Sequence, residues 1–303
     1  MDQIWIWVIF NIAVVILLAF DLFFFHRKAH VIEVKEALWM SAFWIAISFA
    51  FNIFIYYFYG KEDALNFLTG YLIEKALSID NLFIFLMIFS YFRVPADLLH
   101  KVLFWGILGT IIMRAILIVF GIALVQKFHW VIYLFGLFLI ITGIKLAKGN
   151  DKEVSPESNP LIKLLQRFMP ITHDYVGSQF FIKQAGKYVA TPLFLVLLAV
   201  ESTDLIFALD SIPAIIGITT EPFIVYTSNI LAVLGLRSLF FALSHMITLF
   251  HYLQYGLAFI LIFIGVKMLI SGYIAIPIVA SLSFVLLALI VSIIASILNP
   301  KKV

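Results

Sequence analysis

Long apolar stretches recur along nearly the whole length of this chain, and they restrict its fold more than any single residue does. A helix crosses a bilayer when about 20 consecutive residues are predominantly apolar. By that measure the 303-residue chain is predicted to carry nine spans: 5–25, 38–58, 65–89, 102–125, 130–147, 191–212, 223–243, 253–270 and 274–298. Charged residues make up 12% of the sequence, against about 25% in ordinary soluble domains. The fold class expected is therefore an all-α polytopic membrane protein, a single transmembrane unit over 1–303. The first apolar run lacks a basic flank and an A-x-A site, so it is expected to remain as a span rather than be removed.

Lys and Arg distribute unevenly between the two sides that this count defines. Fourteen of the 20 fall on one side, among them Arg27, Lys28, Arg93, Lys101, Lys145 and Lys301, while only Lys61, Lys127 and Lys267 fall on the other. The positive-inside rule then places the N-terminus outside and the C-terminus in the cytoplasm. With no cysteine, the chain has neither disulfides, thiolate metal ligands nor a cysteine nucleophile. The charged, Pro-containing stretch 149–190 reads as a cytoplasmic linker. Within it, 161–168 has the apolar spacing of a short surface helix, and 179–190 alternates about Gln184-Ala185-Gly186 as a small hairpin does.

The sequence also repeats. Ser78-Ile79-Asp80 is echoed by Ser202-Thr203-Asp204, the run from Gly109 to Arg114 by that from Leu231 to Arg237, and Tyr133…Gly143-Ile144-Lys145 by Tyr255…Gly265-Val266-Lys267. The three matches occur in order at nearly constant spacing, and each unit holds three spans. An odd number of spans inverts the second copy. The expected architecture is an inverted 3+3 repeat (65–147 and 191–270), with two leading helices in 5–58 and one closing helix in 274–298.

Five carboxylates lie within predicted spans: Glu74, Asp80, Glu201, Asp204 and Asp210. Each costs about 2.5–3.5 kcal/mol at the centre of a membrane helix, even on the lenient insertion scale. Protons, basic partners or a bound cation must offset that cost. On a regular helix Glu74, Ser78 and Asn81 share a face, while Asp80 lies about 120° around from Glu74. Asp210 points away from Glu201 unless Pro213 breaks the sixth span, which is the expectation here. Against the five acids stand Lys75, Arg114 and Arg237, leaving two negative charges if all eight groups meet. A divalent cation or two protons would neutralise them. Carboxylates with Asn81, Asn229, Ser211 and other hydroxyls form an all-oxygen donor set, suited to Mg²⁺, Ca²⁺ or Mn²⁺. The structural alternative is that the acids pair permanently with Arg114 and Arg237 and hold helices together; Asp21 is read in that structural way.

The stretches EKALSIDNLFIF (74–85), NPLIKLLQRFMPITHDY (159–175), ATPLFLVLLAVESTDLIFALDSIPAI (190–215), EPFIVYTSN (221–229) and LGLRSLFF (234–241) resemble the TerC/Alx family of integral membrane proteins. That resemblance covers essentially the whole chain. It implies nine spans, an inverted three-helix repeat of the LysE-type transporter superfamily, Mn²⁺ export and a link to tellurium resistance. Its acidic motifs fall on Glu74, Asp80 and Asn81, and on Glu201, Asp204, Asp210 and Ser211.

The function expected is export of Mn²⁺ by proton antiport across a bacterial inner membrane. Glu74, Asp80, Asp204 and Asp210 would bind the metal, with Asn81, Glu201, Ser211 and Asn229 in support and Lys75, Arg114 and Arg237 balancing charge. Mn²⁺ would be cargo rather than a cofactor, and no cofactor is expected. The other partners expected are protons, the lipid bilayer and a second copy in a homo-oligomer, with no nucleic acid. No enzymatic activity is expected, since an intramembrane aspartyl protease would lack its GxGD motif and leave three acids surplus. A non-transport role in membrane-protein assembly or stress, or export of Ca²⁺ or a small metabolite, remains the alternative.

Overall fold

The computed structural model describes residues 3–24, 34–148, 169–172, 174–184, 186–244, 252–274 and 276–298. Among them run α1 (Gln3–Phe24), α2 (Val34–Tyr59), α3 (Lys61–Tyr91), α4 (Ala96–Lys127), α5 (Val131–Ala147), β1 (Phe181–Gln184), β2 (Lys187–Ala190), α6 (Pro192–Ile216), α7 (Pro222–Leu234), α8 (Leu236–Ser244), α9 (Leu253–Ile270) and α10 (Ile278–Leu298). The boundaries have local causes. Gly60, at φ 99°, separates α2 from α3, a backbone conformation open to a residue without Cβ. Pro192 and Pro222 open α6 and α7, where the missing N–H has no helical acceptor to lose.

Six helices, α1, α2, α4, α6, α9 and α10, are long and apolar enough to cross a bilayer, and α7 with α8 forms a seventh candidate bent by 41°. The helix α5 is apolar but spans 17 residues. The helix α3 spans 31 residues and carries Glu74, Lys75 and Asp80 along its length. The bend between α7 and α8 passes a crowded point: a Cβ on Gly235 would lie 2.9 Å from the Lys75 ammonium and 2.9 Å from Trp44.

Polarity is distributed inside out relative to a soluble protein. Ile12, Val15, Ile112, Ile116, Val119 and Phe120 of α1 and α4, and Leu287, Ile290, Val291 and Ile294 of α10, are exposed. Asn66, Thr69, Glu74, Ser78, Asn81, Arg114, Asp204, Asn229 and Arg237 are buried. Hydrocarbon outside and polar groups satisfied inside is the arrangement a bilayer demands. The helix α7 lies deepest, buried at every residue from Phe223 to Leu234. It packs on α3 and α4, while α6 packs on both of those helices, α5 pairs with α9, and α8 lies against α2.

The expected hairpin is present: β1 and β2 are antiparallel, with Phe181 opposite Ala190 and Gln184 opposite Lys187. Its base is tied to the helices. The Tyr175 hydroxyl donates to the Phe92 carbonyl at 2.9 Å, Lys101 donates to the Ser178 carbonyl, and the Lys101 ammonium lies 4.7 Å from the Phe180 ring centroid. The surface helix expected over 161–168 falls outside the described residues. One expectation is corrected. Pro213 does not break the sixth span, because α6 continues through it to Ile216.

Candidate functional site

Four helices deliver polar side chains to one point in the core. Helix α3 contributes Glu74 and, one turn on, Ser78, whose hydroxyl donates to Glu74 Oε1 at 3.4 Å. From α4 comes Arg114, from α6 come Asp204 and Ser211, and from α7 comes Asn229. The Arg114 guanidinium forks onto Asp204, with Nε donating to Oδ2 at 3.2 Å and Nη2 to Oδ1 at 3.0 Å. Its Nη1 pairs with Glu74 and also donates to Asn229 Oδ1 at 3.2 Å and Ser211 Oγ at 3.4 Å. Asn229 Nδ2 completes the ring by donating to Glu74 Oε2 at 2.9 Å. Arg114, Asp204, Glu74 and Asn229 are each no more than 1% exposed.

Two carboxylates therefore share one guanidinium, a set with one more acid than base. Charge-assisted, bidentate hydrogen bonds of this kind make burial of such groups tolerable. Glu201 stands one turn before Asp204 on α6, and its Oε2 is buried with no hydrogen-bond partner among the described residues. Space for it comes from α4, where a Cβ on Gly109 would overlap the Glu201 carboxylate.

The other sequence-predicted residues go elsewhere. Asp210 is half-buried and accepts a hydrogen bond from Thr142 of α5 at 3.3 Å. With α6 helical through Pro213, Asp210 keeps the orientation of a regular helix, about 120° around from Asp204, and does not join the Arg114 cluster. Lys75 donates to the Ala232 carbonyl at 3.0 Å. Arg237 pairs with Asp21 at 3.0 Å, and its Nη2 lies 3.5 Å from His100 Nδ1. The eight charged groups thus do not meet in one place. Asn81 is buried. Asp80 lies on α3, but its side chain is outside the described residues.

Among the described residues no three acidic or histidine side chains converge as metal ligands. Arg114 stands between Glu74 and Asp204 and pairs with both. Two contributors escaped sequence reasoning. Gly109 stood out only as a repeat marker, and Thr142 carried no signal in an apolar helix.

Buried charge at the centre of an apolar bundle defines the class: a multi-pass integral membrane protein with an ionised polar core. Residues 59–303 match the family described as Integral membrane protein TerC family, and the chain belongs to that family. It is 49% identical to an uncharacterized membrane protein of Myxococcus xanthus, covering 98% of this chain and 93% of that one. It is 43% identical to an uncharacterized membrane protein of Rickettsia bellii over 98% of each. A third relative, named a membrane-bound redox modulator, Alx, of Escherichia coli, is 45% identical over 92% of this chain and 90% of its own. No solved structure matches the chain.

Proposed function

We propose that this protein is a transporter that moves a divalent metal cation, Mn²⁺ in the first instance, out of the cytoplasm in exchange for protons. The observation that carries the reading is the shared guanidinium. Glu74 and Asp204 are buried and paired with a single Arg114, and one turn before Asp204 stands a Glu201 oxygen without a partner among the described residues. A carrier needs buried carboxylates that release one cation to take another. In the cycle we propose, Arg114 is the resident counter-ion. When it withdraws, Glu74, Asp204, Asn229 and Ser211 offer oxygen ligands to the metal, and Glu201 takes up or gives a proton. Asp80 belongs to the same acidic motif, and Asp210, held by Thr142, is a second ion or proton station on the way.

The architecture proposed with it has nine spans, counting α3, α5 and the bent α7–α8 pair, in an inverted repeat. The packing of α5 on α9 supports this. A Cβ on Gly136 would lie 2.8 Å from the Gly265 carbonyl, and one on Gly143 would lie 2.8 Å from the Ala258 carbonyl. The repeat offset pairs position 136 with 258 and 143 with 265, so each contact is the image of the other, as a two-fold requires. The Lys and Arg bias orients the chain with its N-terminus outside, in a bacterial inner membrane.

The test is flux of Mn²⁺ and a panel of divalent cations by the purified protein in proteoliposomes, with and without a pH gradient. Loss of flux in Asp204→Asn, with the protein still folded, supports the reading; unchanged flux removes the acids from it. A second reading rests on the same geometry. Acids already locked to Arg114 are also what a static membrane-assembly or stress factor would contain, and that role predicts no flux at all. The redox modulation named for the Escherichia coli relative would here have to proceed without thiols, since the chain has no cysteine.

A further inference from the structure

A cavity of about 560 Å³ opens at the end of the bundle where α3 begins, lined on its polar side by Glu62, Asn66, Gly217, Thr219, Thr220 and Lys267. Lys267, one of the three basic residues that the sequence puts on the outer side, lines this cavity. Glu62 also suits the first turn of α3 electrostatically. Asn66 is buried one turn further along α3, beyond the reach of that effect. Glu62 and Asn66 begin a series. Glu62, Asn66, Gly70, Glu74 and Ser78 follow one another at four-residue intervals, each adjacent to the next on α3 and turned about 40° from it. The series runs from the cavity to the Arg114 cluster, about 18 Å along the helix axis from Glu62 to Glu74.

The series is closed at one place. A Cβ on Gly70 would lie 2.9 Å from Ser228 Oγ, 3.4 Å from Ser228 Cβ and 3.2 Å from Ile215 Cγ2. Three helices, α3, α6 and α7, thus meet there with no room between them. Ser228, on the turn before Asn229, is buried, and its hydroxyl donates within α7 to the Val225 carbonyl at 3.2 Å. The Ser228 hydroxyl keeps its acceptor within α7 if this contact parts, and the contact lies between the cavity and Glu74 along α3.

We propose that the cavity is the outer mouth of the cation path and that the Gly70–Ser228–Ile215 contact is its outer gate, closed in this structure. The mouth takes a hydrated divalent cation, with Glu62 supplying charge and Asn66, Thr219 and Thr220 supplying oxygens. Lys267 across the cavity keeps the cation from settling there. Opening requires α3 to separate from α6 and α7 by little more than one side chain. The proposal rests on the transport reading above.

The cysteine-free chain allows a direct test. The 3.4 Å separation at Gly70 and Ser228 is close to the Cβ–Cβ range of a disulfide, about 3.5–4.5 Å. Oxidised Gly70→Cys/Ser228→Cys is expected to transport Mn²⁺ in proteoliposomes more slowly than the same protein reduced, and to regain the reduced rate on reduction. Separately, Asn66→Cys in intact cells is expected to react with a membrane-impermeant maleimide from outside. Full flux in the oxidised protein overturns the gate, and an unlabelled Asn66→Cys overturns the mouth. Should the double variant fail to fold, the Asn66→Cys labelling still decides the mouth, and Ile215→Ala, which thins the contact at Gly70, is expected to raise the flux; an unchanged flux overturns the gate. Absence of flux in the parent protein is a different result, which refutes transport itself.

Discussion

Arg114 and Asp204 meet through two parallel hydrogen bonds, at 3.2 and 3.0 Å, each side chain 1% exposed. The same guanidinium also reaches Glu74, Ser211 and Asn229, so one side chain on α4 joins α3, α6 and α7. Whatever moves Arg114 moves the connection among all four helices.

Removing that guanidinium leaves two buried carboxylates without their counter-ion. Breaking a buried pair from one side costs about 3–5 kcal/mol. Arg114→Ala is expected to lower the thermal unfolding midpoint in detergent sharply. Arg114→Lys keeps the charge but cannot fork onto Asp204, and should fall between Arg114→Ala and the parent. Equal midpoints for all three proteins would contradict the pairing.

Gly109 and Glu201 are coupled by space alone. Gly109→Ala puts a methyl group into the Glu201 carboxylate, an overpacking cost of about 1–3 kcal/mol. In a Glu201→Ala background the same substitution should cost almost nothing. The coupling energy from the four unfolding measurements reports the contact, and a value near zero argues against it.

The α5–α9 crossing should respond alike at its two image points. Gly136→Ala and Gly143→Ala each drive a Cβ against a carbonyl of the facing helix at 2.8 Å, and backbone cannot rotate aside. Comparable losses of about 1–3 kcal/mol are expected at both positions. A large loss at one and none at the other would mean that the crossing lacks two-fold character.

Tyr175, in the segment ahead of the hairpin and clear of the spans, has its hydroxyl pushed up by burial from 10.0 to about 12. Between those values the folded protein keeps a proton that the unfolded chain releases, so stability falls as pH rises through the window. Below pH 10 the contribution is constant. Tyr175→Phe also removes the hydrogen bond to the Phe92 carbonyl, costing about 1 kcal/mol. The variant should therefore be less stable at pH 8 and lose stability less steeply above pH 10. An unchanged alkaline slope would show the hydroxyl to be solvated.

Much of the fold was legible because each helix advertises itself locally. Runs of apolar residues of bilayer length located α1, α2, α4, α6, α9 and α10, and alternation about Gly186 located the hairpin. The acidic motifs pointed to the core, and Glu74, Asp204, Ser211 and Asn229 did come together. Pro213 misled, because a proline removes one rung of the helix ladder and neighbouring helices can hold the rest in place. Arg237 misled as well. Its position in the repeat matched that of Arg114, yet its partner is Asp21 of the first helix, which lies outside both repeat units.

The order of residues alone determined where the chain could be helical, which helices face hydrocarbon, and that acids must be sheltered inside. Those properties depend on composition and spacing within one segment. Which acid meets which base was decided by the tertiary structure, because it depends on helix neighbours and on rotation about each helix axis. Asp204 and Asp210 share α6, yet the first is held by Arg114 of α4 and the second by Thr142 of α5, and only the packed bundle sets which helix each one meets.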